Sequence, residues 1–115
     1  MDRIDIYEGT SYGSVALFKK ITAGWECKEV TIDYNFRNGG GDKNEPWPFR
    51  AVMVTPTQEI EVRIFMFAIG YHGTGPKDAC DVLKYLDLVF DPEDITTTKK
   101  IQEDGHIRLR YEGRA

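Results

Sequence analysis

Cysteine is scarce in this sequence, and the two that occur form no pattern. Cys27 and Cys80 lie far apart, with no C-x-x-C and no companion histidine at metal-ligand spacing. That excludes a disulfide framework and a zinc site and leaves two reduced thiols with packing roles. Basic charge is also short: 15 Lys and Arg stand against 19 Asp and Glu, for a formal net charge of −4. Duplex nucleic acid is held by clustered cations that displace counterions, so no duplex partner is expected. No window approaches the ~20 consecutive apolar residues of a membrane span. Met1-Asp2-Arg3-Ile4-Asp5 places acids where a secretory signal needs a basic stretch and an apolar run. A cytoplasmic protein with no membrane partner is the expectation. Internal repeats, long linkers and low-complexity runs are missing too, so residues 1–115 read as a single domain.

What is present suits a globular fold, with 41% hydrophobic and 30% charged residues, enough apolar content to rule out wholesale disorder. The chain is organised around Ile64-Phe65-Met66-Phe67-Ala68-Ile69-Gly70-Tyr71-His72-Gly73-Thr74-Gly75-Pro76. A continuous apolar run closed by glycines and followed by helical spacing predicts a strand buried on both faces that turns sharply into a helix. In that helix Ala79, Val82, Leu83 and Leu86 make one apolar stripe, with Lys77, Asp81 and Lys84 outside.

Elsewhere the period is mostly that of strands. Residues 3–8 alternate apolar with polar, and Val30, Ile32, Tyr34 and Phe36 alternate with Glu29, Thr31, Asp33 and Asn35. Phe49 to Val54 and Glu59 to Ile64 complete a three-strand antiparallel meander, and residues 106–111 supply a last strand. Residues 14–21 suit a short helix through Leu17, Phe18 and Ile21, or a strand through Val15 and Leu17; the reading leans to strand. A second helix is expected to start at Asp91-Pro92-Glu93-Asp94 and to stop by Gly105. The fold class is α+β, a mainly antiparallel sheet with one or two helices packed on it.

Two places offer anion chemistry. The Gly73-Thr74-Gly75-Pro76 turn opens a helix whose first amides lack partners and carry the positive end of the dipole, with Thr74 and Lys77 to assist. The same residues also make a good helix start and nothing more. His106, Arg108 and Arg110 share one strand face, able to grip a phosphate or simply to solvate an outer surface. Trp47, Tyr71 and Tyr12 could stack on a base or serve core and hairpin packing, and the glycine-rich 37–45 segment with Pro46-Trp47-Pro48 has the build of a lid or of a hairpin tip that is simply long. His72 has no Ser, Cys or acid near it in a recognisable motif, so no catalytic residue is named, and no metal or cofactor is implied.

Phe67-Ala68-Ile69-Gly70-Tyr71-His72-Gly73-Thr74-Gly75-Pro76, with Ala79 and Leu83 after it, resembles the Trp-Gly-Tyr-Gly-Gly-Ser-Gly-Pro signature of a family of small uncharacterised phage and plasmid proteins. The resemblance spans about twenty residues, brings no known activity, and implies a mobile-element setting, hence a host-cell cytoplasm. Tyr71-His72-Gly73-Thr74 is also similar to the first motif of the ADP-ribosyltransferases. That family opens its domain with the motif and needs a later Tyr and a catalytic Glu, whereas here 41 residues follow Thr74.

The function expected from these features is non-enzymatic sequestration of a small anionic ligand, a nucleotide or cyclic-nucleotide immune signal. Its site would join Tyr71, His72, Gly73, Thr74, Gly75 and Lys77 to Trp47, Arg108 and Arg110. A homo-oligomer is expected, since a short turn makes a better pocket in two copies. The alternative is an acidic inhibitor that binds a host protein through its surface and the 37–48 loop; an enzyme acting on a nucleotide comes third.

Overall fold

The computed structural model describes residues 1–36, 48–65 and 68–115. In chain order they form β1 (Asp2–Ile6), α1 (Ser11–Ile21), β2 (Glu26–Asn35), β3 (Phe49–Val54), β4 (Glu59–Ile64), α2 (Thr74–Tyr85), α3 (Glu93–Thr96) and β5 (His106–Glu112). The strands make one sheet in the order β1-β4-β3-β2-β5. β4, β3 and β2 are the expected antiparallel meander, β5 joins β2 antiparallel, and β1 joins β4 in parallel. The fold is therefore α+β on a mixed, mainly antiparallel sheet. Among the described residues no helix is long and apolar enough to cross a membrane.

Alternation along the strands sends one set of side chains to the helices and the other away from them. Ile6, Val62, Ile64, Phe49, Ala51, Met53, Ile32 and Ile107 are buried in one cluster with Val15 and Phe18 of α1 and Ala79, Val82 and Leu83 of α2. Cys27 also faces this core, out of step with Val30. A bulge between Cys27 and Glu29 resets the phase, so both side chains point inward.

Three expectations need correction. Residues 14–21 are not a strand but most of α1. Thr10 caps that helix, its Oγ1 accepting from the Gly13 amide at 3.0 Å, and Ser14, Val15 and Phe18 bury at helical spacing. Lys19 and Lys20 in the last turn suit the negative end of its dipole. The apolar run is not a strand through Ile69: β4 ends at Ile64, and Ala68 and Ile69 cross the sheet end outside any ladder. The helix expected to run from Asp91 toward Gly105 is a single turn. Its threonines bond back to the backbone, Thr96 Oγ1 donating to Pro92 O and Thr97 Oγ1 to Glu93 O, and Thr97 is already extended.

The sheet face turned away from the helices is polar and densely paired. Arg63 is only 8% exposed, yet it sits on this side, and its guanidinium grips Asp5 in bidentate fashion at 2.7 and 2.9 Å. That pair ties β1 to β4 and holds the Asp5 carboxyl below its ordinary value of 3.8. Because the folded-state value is depressed, the stability it contributes is present above 3.8 and is lost as pH falls through the lower folded value. Asp5→Asn should therefore cost about 1–2 kcal/mol at neutral pH, less than a fully buried pair because Asp5 is partly solvated. Urea unfolding of both proteins should show that gap closing in strong acid; a gap independent of pH would contradict the assignment.

Candidate functional site

The turn before α2 is built by packing. Gly70 has φ +90°, a conformation that favours glycine, and a Cβ there would lie 2.9 Å from the Phe36 ring. Its amide donates to Ile95 O at 2.7 Å, which fastens the crossing segment to α3. Gly75 is buried, and a Cβ on it would stand 2.6 Å from Ala68 O. The Tyr71 ring lies over the turn, so close to Gly73 that a side chain there would meet Cε2 at 2.4 Å. Pro76 has no amide hydrogen, and the Lys77 amide already donates to Gly73 O at 3.1 Å, which thins the donors at this helix end. His72, Thr74 and Lys77 are exposed.

Beside the turn, a groove of about 540 Å³ runs between the two long helices, lined by Tyr12, Thr74, Lys77, Asp78, Cys80, Asp81 and Lys84. Its charges are balanced, Lys77 and Lys84 against Asp78 and Asp81. Asp78 accepts from Ser11 Oγ at 2.6 Å and Asp81 from Lys19 Nζ at 2.9 Å, so its carboxylates serve to join α1 to α2.

The second place lies across the sheet. Arg108 and Arg110 are exposed and alternate with Ile107 and Leu109, which are buried against the helices, so the arginines point from the opposite face. The structure thus separates Tyr71, His72, Gly73, Thr74, Gly75 and Lys77 from Arg108 and Arg110: among the described residues the groove takes Thr74 and Lys77 and the sheet face takes the arginines. Trp47 and the lid expected at 37–45 lie outside the described residues. The strand register does bring Arg50, Thr31 and Arg110 into one row across β3, β2 and β5, with Asp33 and Arg108 in the next. Together with Ile32 and Leu109 they line a shallow depression of about 300 Å³.

This face is less basic than its cations suggest. Arg108 pairs with Asp33 at 3.3 Å and Asp104 at 2.9 Å and donates to Gln102 Oε1; Arg110 pairs with Glu29 at 2.8 Å and Glu112 at 3.2 Å. His106 is buried with Nδ1 2.6 Å from Asp33 Oδ1. Arg50, Thr31 and Asp33 were missed from the sequence. Their alternation was legible, but which of them stand beside Arg110 is a matter of register between strands.

Nucleophiles of lowered pKa are not what the site offers. Burial, with Glu29 beside it, pushes the Cys27 thiol up to about 11, and burial also raises Cys80. Among the described residues no group of three His, Cys, Asp or Glu side chains is arranged to hold a metal ion. No family model matches the chain, and no curated protein or solved structure matches it.

The close approach at Gly75 makes a testable claim about the turn. Gly75→Ala forces a methyl group against a backbone oxygen and should destabilise the fold by about 1–3 kcal/mol with no ligand present. Thermal unfolding of the variant checks this; unchanged stability would show that the glycine is not required by packing.

Proposed function

We propose that the chain is a non-enzymatic binding protein for a small anionic ligand, a nucleotide or cyclic nucleotide held by its phosphate on the open face of the sheet. The observation that carries the reading is the depression in which Arg50, Arg108 and Arg110, from two strands that flank β2, surround Thr31. Guanidinium groups fork onto phosphate oxygens, and the Thr31 hydroxyl lies where it can add a donor. The exposed ion pairs of Arg110 are worth at most ~1 kcal/mol each, so an anion with more oxygens can displace Glu29 and Glu112. A volume of about 300 Å³ sits at the lower limit for small-ligand sites, with room for a phosphate and its sugar rather than for a large ligand.

Holding rather than turnover is the role this supports: three guanidiniums and the Thr31 hydroxyl line the depression, and its one carboxylate, Asp33, is engaged by Arg108 and His106. In the mobile-element setting implied by the 67–76 signature, that role is removal of a nucleotide immune signal. Isothermal titration against cyclic di- and trinucleotides and ADP-ribose derivatives tests it. A Kd tighter than ~100 μM, about −5.5 kcal/mol, is expected for at least one member. Arg110→Ala should weaken that binding roughly tenfold by removing a charged hydrogen-bond donor, while Lys77→Ala leaves it unchanged. No binding across the panel, or loss with Lys77→Ala and not with Arg110→Ala, would overturn the reading.

A further inference from the structure

β1 lies at one margin of the sheet, next to β4 alone. In their parallel ladder the carbonyl of Ile6 accepts from the Phe65 amide at 3.1 Å. With Ile6 in register with Ile64, the backbone groups of Ile4 and Ile6 turn toward β4 and those of Arg3 and Asp5 turn outward. Among the described residues nothing bonds to that outward row. β1 is short and carries Asp2, Arg3 and Asp5, charges that discourage indiscriminate pairing, but it has no proline, no lysine and no bulge, so a partner of matching charge can still add to it.

The sequence of the strand decides what can pair there. Outward groups must face outward groups, so an antiparallel partner sets odd-numbered residues against odd-numbered ones. For a second copy related by a two-fold axis, the strand offers centres at Arg3, Ile4 or Asp5. A centre at Arg3 puts guanidinium against guanidinium, and one at Asp5 puts carboxylate against carboxylate, both unfavourable for directly opposed residues. A centre at Ile4 places Arg3 of each copy opposite Asp5 of the other, with both backbone hydrogen bonds exchanged in each pair. Arg3 lies 3.5 Å from its own Asp5, which Arg63 also holds, so the cross-strand pair extends a charge network already present in each copy. The same register sets Met1 against Tyr7, two side chains that are 76% and 62% exposed, in a sulfur–aromatic contact. It also brings together the two half-buried Ile4 side chains, which pack at the margin of each core.

We propose that β1 is a self-pairing edge through which two copies of the chain join antiparallel, in the register centred on Ile4. The two five-stranded sheets then run on as one. The inference is independent of the anion-binding reading, because β1 and β5 lie at opposite margins of the sheet.

Sedimentation equilibrium on the full chain is the first test. Reversible association to a dimer is expected by ~100 μM, the range of a small interface of micromolar affinity. Arg3→Asp, which opposes like charges twice, should give a monomer with an unchanged circular dichroism spectrum, and Arg3→Lys should remain a dimer. Register is read independently by oxidation. A non-hydrogen-bonded antiparallel pair sets Cα atoms ~4.5 Å apart, within disulfide range, so Ile4→Cys should cross-link to itself. Arg3→Cys, offset along the strand from its counterpart, should not, and the wild type with its own two cysteines is the control. A monomer at the highest concentration, a dimer that Arg3→Asp leaves intact, or equal cross-linking through Arg3→Cys would each overturn the proposal.

Discussion

α1 and α2 pack side by side over one face of the sheet, and the apolar side chains this takes out of water hold the other elements in place. Phe18 meets Phe49 edge-on with ring centres 5.8 Å apart and Tyr85 at 6.3 Å, linking α1 to the sheet and to α2 through one ring. Polar contacts at the rim also join the two helices. Lys19 reaches Asp81 and lies 5.6 Å from the centre of the Tyr85 ring, and the Tyr85 hydroxyl bonds back to Lys19 O. Three long-range links on one rim make the helix pair a unit, and the sheet face it covers is settled by that unit.

Two helices on one face of a five-stranded sheet leave the polar side chains of the other face to find partners among themselves. They do so in ion pairs between strands: Asp5 with Arg63, Asp33 with Arg108, Glu29 with Arg110. A stripe that reads as basic along β5 is therefore neutralised from β2. The exception is the depression where guanidiniums from both sides of β2 surround the Thr31 hydroxyl, an arrangement that the length of a single strand cannot display.

The two margins of the sheet differ in a way that follows from the connections. β5 is covered at its start, where Ile101 bridges Ile107 and the Gln102 amide donates to His106 O. β1 precedes α1 directly, and the chain leaves it by way of Gly9, with φ +77°, into a capped helix on the core side. No returning segment among the described residues lies along its outer side. One edge is covered at its start by its own loop and the other offers an unlike-charged row.

The sequence by itself determined the strands and the long second helix, because apolar period is a local property and each of these elements buries one side. It also exposed the glycine turn as the sharpest local feature, although the reason for Gly75 lies in the fold-back that brings Ala68 O against it and the reason for Gly70 in the Phe36 ring from another strand end, contacts that only packing makes. Residues 14–21 fit either period, and a threonine cap outside that window settled them as helix. Short threonine-rich stretches such as 96–98 compete with their own backbone, so the reach of α3 was not legible. Register, the pairing of cations with carboxylates and the separation of Lys77 from Arg108 were decided by tertiary structure alone. They depend on which strands become neighbours and on which face the helices land, and neither is written in the period of any one segment.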